Sequence, residues 1–127
     1  MNSVTKHYRH LKSALRKRAK ERGVPCTITR TELRKLFATH SHCEICGVEF
    51  VQMPNHDAAP SVERVVPAFG YVLSNVTIIC RKCNSTKGEL DALGEFKDSD
   101  DEYKRKILLW AQKTAEKVRQ AITNESA

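Results

Sequence analysis

Asn75-Val76-Thr77-Ile78-Ile79-Cys80-Arg81-Lys82-Cys83-Asn84 decides the reading of this chain. It runs an apolar, β-branched segment into a Cys-x-x-Cys turn and closes on a second asparagine. Upstream, Cys43-Glu44-Ile45-Cys46 supplies a matching pair. Zinc takes four tetrahedral ligands and favours thiolate, and each Cys-x-x-Cys turn brings two sulfurs to one ion. Two pairs fill the coordination sphere and leave no open position. The spacing therefore predicts a structural Zn2+ on Cys43, Cys46, Cys80 and Cys83. Two disulfides, or unrelated buried thiols, are the other readings of these four residues. Cys46 and Cys80 stand 34 positions apart, so a whole substructure is inserted between the two turns. Cys26 is left over. An odd cysteine count without a secretory signal argues against a disulfide framework, and Cys26 reads as a small buried apolar residue.

Outward from this stretch the periodicities assign the remaining elements. Tyr71 to Ile79 is rich in Tyr, Val, Thr and Ile and reads as a strand, and Cys83 to Leu93 as the helix that follows it. Ser61 to Val66 alternates apolar and polar residues, a half-buried strand, and Pro67-Ala68-Phe69-Gly70 is a turn. Val48 to Met53 is expected as a short strand and Pro54 to Pro60 as a polar loop. Toward the N-terminus, Val4, Tyr8, Leu11, Leu15 and Ala19 recur at helical spacing over residues 4–22, and Gly23-Val24-Pro25 ends that helix. Thr29 and Glu32 have the spacing of a capping box for a short helix through Phe37. Gly94 breaks the helix after the second cysteine pair. Ser99-Asp100-Asp101-Glu102 caps a last helix with Tyr103, Ile107, Trp110, Thr114, Val118 and Ile122 on one stripe, which reads as core packing.

With 127 residues the chain is expected to form one domain, small enough to profit from a metal staple. No apolar run is long enough to span a membrane, and no apolar segment follows the basic N-terminus as in a signal peptide. The charge is lopsided. Residues 1–25 hold eight of the 22 Lys and Arg but one of the 15 Asp and Glu, so this segment carries the whole net charge of +7. A basic stretch beside a neutral body suggests a surface for a polyanion, most simply nucleic acid, rather than a charged face kept only for solubility. It lacks the Trp and Phe of a membrane-surface helix.

The segment from Cys43 to Leu90 resembles the HNH endonuclease family, the ββα-metal fold. It is similar in particular to small phage-type members with a basic N-terminal helix and zinc knuckles around the nuclease core. The residues that carry the resemblance are Ser61-Val62-Glu63-Arg64, Gly70-Tyr71, Asn75, Cys80-x-x-Cys83-Asn84 and Lys87. It implies an α+β fold: a zinc-stapled ββα-metal core over residues 26–96, a basic N-terminal helix over 1–25, and a C-terminal amphipathic helix over 97–127 packed on the core. It further implies a metal-dependent DNA endonuclease. Glu63 and Asn84 would bind Mg2+ or Mn2+, hard cations that take oxygen ligands. Asn75 would hold the loop and orient the base, and Lys87 would contact phosphate. Arg9, Lys12, Arg16, Lys17, Arg18 and Lys20 would serve the DNA backbone. The ion would polarise the scissile phosphate for attack by water.

Two residues depart from the family pattern. Glu63 stands where Asp is usual. Arg64 stands at the position of the usual general-base histidine, and arginine cannot accept a proton from water, although it can clamp phosphate in bidentate fashion. His56 is the leading replacement base, with Asp57 beside it to fix its tautomer. His40, His42 and Tyr71 are weaker candidates. Three functions follow as expectations: an HNH-type DNA endonuclease, a non-catalytic zinc-stabilised nucleic-acid-binding module, and a protein-binding zinc module that an exposed Trp110 would favour. The expected setting is cytoplasmic, the bacterial host cytoplasm for a phage-encoded chain, with DNA as partner, no membrane, and a monomer or homodimer.

Overall fold

Helix α1 (Ser3–Arg22) forms because its apolar residues fall on one stripe, and that stripe is what it buries: Leu15 and Ala19 enter the core, with Leu11 packed beside them. The structure, a computed structural model, describes residues 3–53, 55–93 and 102–126. Gly23 ends α1 at φ 66°, a left-handed position that glycine adopts without a Cβ penalty. Helix α2 (Arg30–Thr39) carries the expected capping box. The Glu32 amide donates to Thr29 Oγ1 at 3.1 Å and the Thr29 amide to Glu32 Oε1 at 2.9 Å. Leu33 of α2 joins Leu15, Ala19, Ile28, Tyr71 and Val76 in one apolar cluster. The basic segment is thus one wall of the core rather than a detached arm.

Strands β1 (Pro60–Arg64) and β2 (Val76–Cys80) pair antiparallel, with Ser61 opposite Ile79 and Glu63 opposite Thr77. Every residue of β2 is buried, so the strand packs on both faces. Val76 faces the α1–α2 cluster, while Ile79 and Cys80 belong to the cysteine cluster. Helix α3 (Arg81–Leu93) follows β2 without a break. Helix α4 (Glu102–Ser126) buries Ile107, Leu108, Ala115 and Val118, with Tyr103, Trp110 and Ile122 half-buried along the same side. The C-terminal stripe is core packing, as its periodicity predicts. The architecture is α+β, with four helices and one two-stranded sheet among the described residues.

Three local expectations are corrected. Residues 48–53 do not form a strand: His42 and Glu49 make a single bridge around the first cysteine turn, and the Val51 amide turns to the Ala58 carbonyl at 3.0 Å. The first strand stops at Arg64 instead of Val66, because the Val66 amide and carbonyl bond the Asn75 side chain rather than a ladder. The strand expected over 71–79 is divided. Tyr71 bonds the 25–28 segment, its amide donating to Pro25 O and its carbonyl accepting from Thr27 and Ile28, and Leu73–Asn75 form a 3-10 turn before β2. The expected break at Gly94 and the cap at 99–101 lie outside the described residues. No helix among the described residues is long and apolar enough to cross a membrane.

Candidate metal centre and candidate active site

The two Cys-x-x-Cys turns converge. The Sγ atoms of Cys43, Cys46, Cys80 and Cys83 all lie within 4.8 Å of one another. Cys46 and Cys80 are 3.7 Å apart, far beyond a disulfide bond. A tetrahedral ion with Zn–S arms of about 2.3 Å places its sulfurs about 3.8 Å apart. The four thiols therefore fit one Zn2+ in spacing and in donor chemistry. The four thiols do not share one proton affinity. The hydrogen bond with Cys83 holds the Cys43 thiol down to about 4, whereas burial pushes Cys80 up to about 11. Cys83 is pushed up as well, first by its hydrogen bond with Cys43 and then by burial. The Cys83 amide donates to Cys80 Sγ at 3.4 Å.

Two residues outside the expected site set tie this centre to the rest of the protein. Tyr103 O–H donates to Cys83 Sγ at 3.0 Å, and burial pushes its phenol up, so it stays a donor at neutral pH. Glu44, inside the first cysteine turn, collects three elements. Trp110 Nε1 donates to its Oε2 at 3.1 Å, Thr77 Oγ1 donates to its Oε1 at 3.4 Å, and His40 Nε2 stands 3.5 Å from Oε1. Trp110 is thereby half-buried, not exposed, which removes the feature that favoured a protein-binding module. A tyrosine and a tryptophan in an otherwise apolar stripe were the available signal, since each carries a polar atom that seeks a partner when buried.

The second group of residues gathers where α3 crosses β1. The Ala59 carbonyl accepts from Arg81 and the Val65 amide donates to Asn75 O, so residues of odd number on β1 bond β2. The carbonyls of Val62 and Arg64 therefore point off the free edge of the sheet. Asn84 Nδ2 donates to Val62 O at 3.2 Å and also to Ser61 Oγ. Lys87 Nζ donates to Arg64 O at 3.2 Å and to Glu63 Oε1 at 2.9 Å. Three residues on a helix rise about 4.5 Å and two on a strand about 6.7 Å, a difference that the longer Lys87 side chain spans. Asn84 and Lys87 thus cap an edge strand that would otherwise expose unpaired groups.

The expected site residues can now be placed. Asn75 is fully buried and holds the loop as expected: its Oδ1 accepts from the Val66 amide at 3.0 Å, and its Nδ2 donates to Val66 O at 2.9 Å and Gly70 O at 2.7 Å. Gly70 sits at φ 74°, and a Cβ there would come within 2.3 Å of Pro25 O. Arg64 folds over the same loop, donating to Pro67 O at 3.0 Å with its guanidinium carbon 5.3 Å from the Tyr71 ring centroid. Glu63 and Lys87 are 6% and 1% exposed, which corrects the expectation that Lys87 reaches phosphate: its ammonium is buried against Glu63. His56 is also corrected. It is exposed, and its Nδ1 accepts from the Ala58 amide at 3.0 Å, so Ala58 rather than Asp57 fixes the tautomer. The Nδ1 acceptor is thus engaged by a backbone amide in this structure.

Arg9, Arg16, Lys17, Arg18 and Lys20 are exposed on α1, and Lys12 is half-buried. The ion pairs among the described residues, His40–Glu44 and Glu63–Lys87, involve none of them. The Cys26 thiol is pushed up by burial, with Lys12 and Arg16 working the other way. No protein-family model, curated protein or solved structure matches this chain.

Proposed function

We propose that this chain is a zinc-stapled DNA endonuclease of the HNH type. The observation that carries the proposal is the continuous β1–β2–α3 unit. Its first strand presents Ser61 and Glu63 to Asn84 and Lys87 on the helix, and Asn75 pins the intervening loop under Arg64. A strand pair running directly into a helix, stapled by cysteines at its hinge, is the arrangement that the sequence resemblance calls for. The exposed cations Arg9, Arg16, Lys17, Arg18 and Lys20 of α1 would supply the sequence-independent attraction for a DNA backbone.

The residues offer one carboxylate oxygen ligand set, Glu63 with the amide oxygen of Asn84, for a divalent ion that would stabilise charge on the phosphate. The structure sets a condition on that role: Glu63 already has the Lys87 ammonium as its counter-charge, so an ion at Glu63 competes with Lys87 for the carboxylate. Arg64 is the group suited to hold a phosphate oxygen, since one guanidinium N–H bonds Pro67 O and the fork has further donors. Hydrolysis joins a water oxygen to phosphorus and breaks one P–O ester bond.

Supercoiled plasmid incubated with zinc-loaded protein and Mg2+ or Mn2+ tests this. Nicked or linear product from wild type, lost in Glu63→Gln with the fold intact by circular dichroism, is the expected result. Retarded but uncut plasmid across both ions would instead leave a non-catalytic nucleic-acid-binding module. The buried Glu63–Lys87 pair and the engaged His56 nitrogen are the observations favouring that second reading.

A further inference from the structure

A cleft of about 520 Å³ opens between α1, α2, the 52–53 loop and β1, distinct from the cysteine centre and the Asn75 loop but sharing Ser61 with the β1–α3 group. Its α1 wall is the stripe Leu11, Leu15 and Arg18, at helical spacing, so an apolar face ends on a guanidinium. Phe37 and Met53 form the opposite apolar walls, and Gln52 and Ser61 bring an amide and a hydroxyl to the lining. Met53 is 59% exposed, so apolar surface faces water here. The volume suits a small organic group, and an apolar slot with a few polar atoms and one cation is the make-up of a ligand site.

From this we infer that the cleft seats a single unstacked nucleotide, and that the chain therefore prefers bulged, branched or single-stranded nucleic acid to perfect duplex. Charge argues for this occupant. Arg18, exposed on α1, brings a cation to the end of the apolar wall, where it can meet the phosphate of a nucleotide whose base lies in the cleft. Its position argues the same way. Pro60, Ser61 and Val62 of its lining belong to β1, the strand that also carries Glu63 and Arg64, and Ser61 is itself bonded to Asn84. A base lying against Leu11, Phe37 and Met53 gains contact with apolar side chains, Gln52 can bond its edge, and Arg18 meets its phosphate. The inference rests on the nucleic-acid reading above and narrows its substrate.

The test uses two oligodeoxynucleotide duplexes, one perfect and one with a single unpaired 2-aminopurine, and the full chain loaded with zinc. The bulged probe should bind at least tenfold more tightly and change its emission on binding, since one base–side-chain stack is worth about a factor of ten. Phe37→Ala should remove about that factor on the bulged probe alone. Met53→Gln, at a largely exposed position where the fold is safe, should give a smaller loss on the same probe. Equal affinity for both duplexes with unchanged emission overturns the inference while leaving the nuclease reading standing. So does a Met53→Gln variant that matches wild type on both probes. Failure to bind either duplex overturns the nucleic-acid reading and this inference with it.

Discussion

Asn75→Asp changes one NH2 group to oxygen and no shape, so its effect isolates the hydrogen bonds that close the 66–70 loop. The Asn75 side chain donates to Val66 O at 2.9 Å and Gly70 O at 2.7 Å, and accepts from the Val66 amide at 3.0 Å. The substitution keeps the acceptor and turns an oxygen toward two carbonyl oxygens. Leaving a buried partner unsatisfied costs about 1–3 kcal/mol each, so two give about 4 kcal/mol. With a urea slope of about 2 kcal/mol/M, the unfolding midpoint should fall by about 2 M. The pH dependence has a definite sign. Burial and the facing carbonyls favour the protonated carboxyl in the folded protein, raising its folded pKa above the ordinary value of about 3.9. The deficit relative to wild type is therefore full at neutral pH and shrinks as pH falls toward about 4, where the unfolded chain takes up the same proton. Urea titrations of zinc-loaded wild type and variant at pH 7 and pH 5 measure this gap. A variant within 1 kcal/mol of wild type at pH 7 would refute the assignment of Asn75 as the tie of this loop.

Lys87→Met should cost about 3–5 kcal/mol, because it leaves the Glu63 carboxylate buried without its counter-charge. If Glu63 is also a divalent-ion ligand, millimolar Mg2+ should restore part of that loss in a thermal melt, and no recovery would count against an ion at Glu63. Zinc removal by a chelator should unfold the protein, with Trp110 emission reporting release of α4 from the cysteine cluster; an unchanged thermal transition after zinc loss would contradict the metal-staple assignment. Zinc affinity should fall with pH, since the raised thiols Cys80 and Cys83 release protons on binding, and competition with a chromogenic chelator at pH 6 and 7.5 reads this. Gly70→Ala should destabilise by about 1–3 kcal/mol or more, through positive φ and the clash with Pro25 O, measured by urea denaturation. Replacing Arg16, Lys17 and Lys20 by Gln should weaken DNA binding uniformly and flatten its log–log salt dependence by about three.

The cysteine centre was legible because ligand identity and spacing nearly fix the geometry: two Cys-x-x-Cys turns need only be brought together. Helix α1 and the capping box were legible for the same local reason, the sterics of Gly23 and the reciprocal Thr29–Glu32 bonds. The strands were read too long, since β propensity says that Tyr71 and Val72 suit extended backbone but not which partner they bond. Tyr71 bonds Pro25, Thr27 and Ile28, far away in sequence, and Asn75 takes the Val66 backbone groups that a longer ladder would have used. Lys87 was misplaced because a lysine late in a resemblance motif reads as solvent-facing. Nothing local reveals that Glu63 will be 2.9 Å away across the β1–α3 contact.

That misplacement changes what the motif can be used to infer. The spacing from Asn84 to Lys87 resembles catalytic machinery, yet the same two residues answer a structural need. A two-stranded sheet leaves the Val62 and Arg64 carbonyls off the β1 edge, and these side chains reach them. A chain could keep this Asn-x-x-Lys spacing to close its sheet whether or not it cuts DNA. Glu63 is the residue at which the two demands conflict. Its carboxylate balances Lys87 in the folded structure, and a divalent ion there would compete for the same negative charge. A protein selected only for stability loses little beyond the Lys87 bond to Arg64 O when Glu63 and Lys87 are replaced together by well-packed apolar residues, because exchanging a buried ion pair as a unit is often neutral or stabilising. A nuclease working through Glu63 loses its activity in that same double variant while keeping its fold. Glu63→Leu/Lys87→Met, scored for unfolding midpoint and plasmid cleavage together, therefore separates the two demands without leaving either buried charge unpaired.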